Sequence, residues 1–141
     1  MTRTVGADHP TAGVRRWYAI TLGITVLFVF LQSLTAGVFI ADAFTPHVKH
    51  VWLDLHGLIA YPIMVFAIAA AVIATMRLAH VRYLALGTWV LAAASVVQWL
   101  LGHAISTLGM DWITPFHVVL AFVVYGLAIW LSVRSATLRR G

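Results

Sequence analysis

Three histidines, His56, His103 and His117, stand inside long runs of apolar residues. An imidazole in such surroundings is costly unless its nitrogens are paired or ligating, and neutral imidazole is a good ligand for iron, copper and zinc. Cysteine is absent, which excludes disulfides, thiolate metal sites and cysteine nucleophiles. Glutamate is absent too, leaving Asp8, Asp42, Asp54 and Asp111 as the only carboxylates for acid or base work. The chemistry open to this residue set is ligation by imidazole.

The elements that must position these histidines follow from composition. Of the 141 residues 62% are apolar and 9% charged, against roughly 45–50% and about 25% in a soluble domain. Such a chain is an integral membrane protein with the lipid bilayer as its first partner. Four apolar runs, about Trp17 to Ala41, Val51 to Met76, Val81 to Leu108 and Trp112 to Val133, each exceed the ~20 residues that cross a bilayer. The first is too long for the apolar core of a signal peptide. The links are short: Asp42 to His50 with Thr45-Pro46, Arg77 to Arg82, and Gly109-Met110-Asp111. Short links make successive helices antiparallel neighbours. The predicted fold is an all-α, up-down-up-down four-helix transmembrane bundle over residues 15–135, with cytoplasmic tails at 1–14 and 136–141.

Eight of the nine basic residues, Arg3, Arg15, Arg16, Arg77, Arg82, Arg134, Arg139 and Arg140, fall on the side of the termini and the middle link; Lys49 alone lies opposite. The positive-inside rule then places both termini in the cytoplasm of a bacterial-type plasma membrane. Because these charges sit singly or in pairs at the ends of apolar runs, they signal topology and not a nucleic-acid surface. Trp17, Tyr18 and Tyr83 fit an inner aromatic belt, and Trp52 and Trp112 an outer one.

His56 and His117 each lie about six residues from the outer start of their spans, and His103 about five from the outer end of the third. At 1.5 Å per residue this is roughly 9 Å below the outer boundary. His80 sits at the cytoplasmic end and His9 in the tail, both solvated. In an antiparallel bundle the second and fourth helices lie on a diagonal, so His56 and His117 can approach a central planar ligand from opposite faces. That is the geometry of bis-histidine haem, one haem b per chain. Its edges would point toward the first and third helices, where Gln32, Thr35 and Gly37, and Gln98 and Gly102, lie near the right level. Ala36, Gly57, Ala60, Ala104 and Ala121 add small residues that admit a ring edge or simply allow close helix packing.

His103 is five positions after Gln98, a rotation of about 140°, so the two cannot face one place. Gln98 and Gly102 share a face and take the haem side. His103 is left as a propionate partner, a headgroup contact or a substitute ligand. His47, Lys49 and His50 stand near where propionates would emerge, or form a solvated loop. The spacing of His47, His50 and His56 also permits a zinc or copper site with Asp42 or Asp54.

Gln98-Trp99-Leu100-Leu101-Gly102, a short outer link with Pro115, and then His117-Val118-Val119-Leu120-Ala121 resemble the repeated half of haem A synthase. In that half a Q-x-x-L-G helix precedes a helix opening on a haem-ligating histidine. His56 corresponds to the other ligand, and the likeness covers about Val14 to Val133. It implies a four-helix haem-binding bundle. Haem A synthase is two such bundles in one chain, so a two-bundle arrangement here would need a homodimer. Leu53 and Gly57 stand where the family's catalytic half has glutamate and arginine, and Asp54 is about 200° around the helix from His56. The likeness therefore supports the binding half without the oxidation of a haem methyl.

Two function classes follow. One is a b-type membrane cytochrome, with both axial positions filled by protein, suited to electron transfer or haem handling with an extracytoplasmic or quinone partner. The other is a cofactor-free accessory or anchor subunit; a haem-modifying, synthase-like enzyme is the further alternative. The charge count yields a test. Reporter fusions at the two termini should both report the cytoplasm, and opposite compartments would make the number of spans odd.

Overall fold

The computed structural model describes residues 12–137. Four helices, α1 (Ala12–Ile40), α2 (Pro46–Arg77), α3 (Arg82–Leu108) and α4 (Thr114–Thr137), form an all-α bundle, with a short 3-10 turn over Asp111–Ile113 leading into α4. Each helix packs on its two neighbours in the cyclic order α1, α2, α3, α4, and the diagonal pairs share no close backbone approach among the described residues. All four are long and apolar enough to cross a membrane. The protein is a multi-pass membrane protein.

The helices begin and end where local chemistry allows. Thr45 is extended and Pro46 occupies the first turn of α2, where a missing N–H costs nothing. Pro46 therefore starts α2 five residues earlier than the apolar run. His47, Lys49 and His50 are not in a loop but in the first turns of this helix. At the end of α3, Gly109 takes the left-handed conformation (φ 65°), and the Met110 N–H turns back to the Ala104 carbonyl at 3.2 Å. A side chain would be strained there. The first helix also starts early, at Ala12, so the last three residues of the expected N-terminal tail are helical; the rest of that tail lies outside the described residues.

The core is a set of narrow stripes. Tyr18, Leu22, Thr25 and Val29 on α1, Leu84, Thr88, Leu91 and Ser95 on α3, and Val124, Ala128, Leu131 and Ser135 on α4 are buried at alternating spacings of three and four, the seam of left-handed helix packing. On α2 the stripe is Ala67, Ala70, Ala71 and Ala74, all fully buried. Within lipid there is little hydrophobic drive to bring helices together, so close van der Waals approach over small side chains supplies the association. Most buried hydroxyls bond inside their own helices, Thr25 donating to the Thr21 carbonyl at 2.9 Å, Thr88 to Leu84 at 2.7 Å and Ser95 to Leu91 at 2.8 Å, whereas those of Tyr18 and Ser132 have no partner among the described residues. Large apolar residues such as Phe30, Leu34, Val65, Leu86, Val119 and Phe122 face outward, as a bilayer requires.

Of the residues expected in the inner aromatic belt, Trp17 and Tyr83 are exposed, but Tyr18 is 1% exposed and belongs to the core. Its place in the α1 stripe, four residues before Leu22, overrides the belt pattern. The alanine face of α2 carries a prediction. Ala70→Leu should force α2 away from its neighbours and cost about 1–3 kcal/mol, read as a lowered unfolding midpoint in mixed detergent, whereas Val65→Leu on the outward face should leave the midpoint unchanged.

Candidate functional site

The cyclic order places α2 and α4 across the bundle from one another, and the two histidines use that diagonal. The ring centres of His56 and His117 are 6.4 Å apart, with a 58° angle between planes. Two imidazoles sharing one metal ion place each nitrogen about 2 Å from it, which with the two ring radii brings the centres to about 6 Å. The spacing fits a single shared metal centre.

His56 is held by α1. Its Nδ1 lies 3.0 Å from the Gln32 backbone carbonyl and 3.0 Å from Thr35 Oγ1, and the Thr35 hydroxyl itself donates to the Gln32 carbonyl at 2.8 Å. A carbonyl only accepts, so Nδ1 carries the proton and Nε2 keeps its lone pair. This is the arrangement of a metal-binding histidine, whose second nitrogen donates to a backbone carbonyl and fixes the tautomer. Phe39, also on α1, meets the ring edge-on at 5.3 Å.

His117 is held by α3. Its Nε2 lies 3.2 Å from the Gln98 amide nitrogen, and its Nδ1 is buried with no partner. Gly102, one turn from Gln98, supplies the room: a Cβ at this glycine would lie 3.1 Å from His117 Cε1 and 3.7 Å from Nδ1. The ring occupies the space a side chain would fill. Gln98 and Gly102 thus share the face the sequence assigns them.

Some buried side-chain atoms lack a hydrogen-bond partner. Of the five in the described residues, one is His117 Nδ1 itself, and two are the amide oxygens of Gln98, which touches His117, and of Gln32, whose backbone holds His56; the other two are Tyr18 Oη and Ser132 Oγ. Unsatisfied buried polar atoms are rare in native proteins, and a bound group is one of their standard explanations.

Other expected site residues stand elsewhere. Gly37 is exposed with open space around it, as is Gly57; both lie on outward faces and do not join the histidines. Gly37 is two residues from buried Thr35, a rotation of about 200° that turns it away. His103 is exposed on α3, stacked on Trp99 with ring centres 5.5 Å apart, and does not approach the pair. His50 Nε2 lies 3.7 Å from Asp54 Oδ2, and Lys49 Nζ 3.4 Å from Asp42 Oδ1. These groups pair at the surface, beside a recess of about 300 Å³ lined by Phe39, Pro46, Lys49, His50 and Leu53. No set of three or more His, Cys, Asp or Glu residues among those described comes together as metal ligands, so His47, His50 and His56 do not converge.

The orienting role of the Gln32 backbone leaves no mark in the sequence, because every residue has a carbonyl. The stack of His103 on Trp99 does leave one: the two are four residues apart on one helix. Compared with protein-family models, curated proteins and solved structures, the chain matches none.

The Gly102 contact gives a test that needs no ligand. Gly102→Val should displace the His117 ring and cost about 1–3 kcal/mol of stability. In a His117→Ala background the same substitution should cost much less, the non-additivity expected of residues in contact, as read from unfolding midpoints of the four proteins.

Proposed function

We propose that the protein is a membrane b-type cytochrome in which His56 and His117 hold one haem b between α2 and α4. What supports this reading is the separation of the two imidazoles by the span of a single metal centre, with His117 Nδ1 buried and unpartnered and the oxygen of the neighbouring Gln98 amide likewise unpartnered. The bound haem would supply reversible one-electron chemistry at its iron. His56 presents Nε2 because the Gln32 carbonyl and Thr35 hold its other nitrogen. His117 is seated in the hollow left by Gly102; the Gln98 amide nitrogen donates to its Nε2, and turning that amide so that its oxygen accepts from Nε2–H would free the Nδ1 lone pair for the iron. With His56 and His117 both serving as its ligands, a bound haem iron would have no site left for oxygen, which favours electron transfer or haem handling over catalysis. The half-length likeness to haem A synthase agrees with the binding role.

A haem-oxidising role finds less support. The three aspartates among the described residues, Asp42, Asp54 and Asp111, are all exposed, and Asp54 pairs with His50. None faces the histidines as an acid or base. The excess of arginine at the opposite end of the bundle, from Arg15, Arg16, Arg77, Arg82 and Arg134, favours a cytoplasmic position for that end in a bacterial-type plasma membrane. The histidine pair then lies near the extracytoplasmic side, suited to exchange with a partner there.

Protein purified from haem-replete cells should show a Soret band and sharp reduced α and β bands. His56→Ala and His117→Ala should each abolish or shift them, and His80→Ala should leave them unchanged. Mass spectrometry of the extracted pigment should give unmodified haem b. A colourless wild-type protein would point to a cofactor-free subunit, and haem A in the extract to a synthase.

A further inference from the structure

The outward side of α2 and α3 carries a strip with a polar end and an apolar end. On α3, Trp89, Ala92, Val96, Trp99, His103 and Thr107 fall within about a third of a turn at 100° per residue, away from the face that carries Gln98 and Gly102. On α2, Tyr61, Ile68 and Thr75 recur every seven residues and run beside them. A groove of about 180 Å³ lies between the helices, lined by Ile68, Trp89, Ala92, Ala93 and Val96. Trp89 Nε1 donates to Thr75 Oγ1 at 2.8 Å beside it. Toward the histidine end the strip becomes aromatic and polar. The Tyr61 and Trp99 rings are 6.1 Å apart, and Trp99 stacks on His103 at 5.5 Å with 17° between planes. His103 Nδ1 lies 3.4 Å from Thr107 Oγ1, and its Nε2 has no partner among the described residues.

We propose that this strip binds an isoprenoid quinol, its hydroxylated ring against Trp99 and His103 and its prenyl tail in the groove below. Charge selects the occupant. The strip carries no lysine or arginine, so a phosphate headgroup finds no counter-charge, whereas a neutral aromatic head stacks on the indole and donates a hydroxyl proton to His103 Nε2. An acyl chain fills the groove but uses neither ring. The electron route rests on the haem reading. His103 follows Gly102, which packs on His117, so the proton acceptor and the proposed electron acceptor sit on opposite sides of one helical turn. A quinol becomes a quinone by losing two electrons and two protons in two one-electron steps. The haem would take the two electrons one at a time, a one-electron acceptor at the extracytoplasmic surface reoxidising it between the steps, and His103 passes each proton to water at the membrane surface.

The test uses the full-length chain in lipid nanodiscs with a photoactivatable azido-ubiquinone bearing a decyl tail. Label should map to residues 96–107 and be displaced by decyl-ubiquinone. Trp99→Ala, and Ala93→Trp, which fills the groove from the lipid side, should each weaken labelling about tenfold. Label scattered over the chain, or undiminished in both variants, overturns the proposal. So does the absence of label accompanied by efficient disulfide cross-linking of Thr107→Cys between two chains, which assigns the strip to a second copy. Labelling requires no haem. Intact labelling of a colourless protein refutes the cytochrome reading and not the site, whereas a normal haem spectrum without label refutes the site alone.

Discussion

A polar ring inside hydrocarbon has to find partners within the protein, since lipid offers none. The structure depends on how that constraint is met for His56. Its Nδ1–H is taken by the Gln32 carbonyl and Thr35 on α1, which couples the rotation and height of α2 to those of α1 and leaves the other nitrogen aimed elsewhere. The same requirement acts less completely on His117, which has the Gln98 amide on one nitrogen and nothing on the other. One histidine is fully oriented and the other partly so, and they meet across the diagonal of the bundle.

That meeting requires close helices at the opposite end and space at the histidine end. The alanine face of α2 and the leucine, threonine and serine stripes of α1, α3 and α4 pack tightly toward the arginine-rich end. None of the fully buried large side chains is at the level of the histidines; there the two imidazoles meet Thr35 and Phe39 of α1 and Gln98 and Gly102 of α3. A bundle held by van der Waals packing at one end can keep a polar, incompletely satisfied interior at the other. Ligation of a metal through His117 would relieve the cost of its unpartnered nitrogen, about 1–3 kcal/mol.

Much of this was legible in the sequence because membrane helices obey few rules. Run length and the short links specified four antiparallel helices, and the antiparallel order specified the diagonal that unites His56 with His117. The shared face of Gln98 and Gly102 followed from their spacing of four. The start of α2 was not legible from hydropathy: the chain from Pro46 to His50 is polar, and only proline at the first helical turn signals that the helix projects beyond the apolar run. Gly37 and Gly57 were expected near the site on depth and size alone, but both point outward, since rotation about the axis, not depth, decides what a residue meets. Tyr18 shows the converse, an interfacial residue type placed by helical phase into the core.

The claim on which the functional account stands is that His56 and His117 together ligate a single iron centre. Low-temperature electron paramagnetic resonance of the oxidised, purified protein tests it most directly. The account requires a low-spin ferric signal of the two-imidazole type, integrating to one spin per chain. A high-spin ferric signal in the wild-type protein, or no haem iron signal at all, would contradict it.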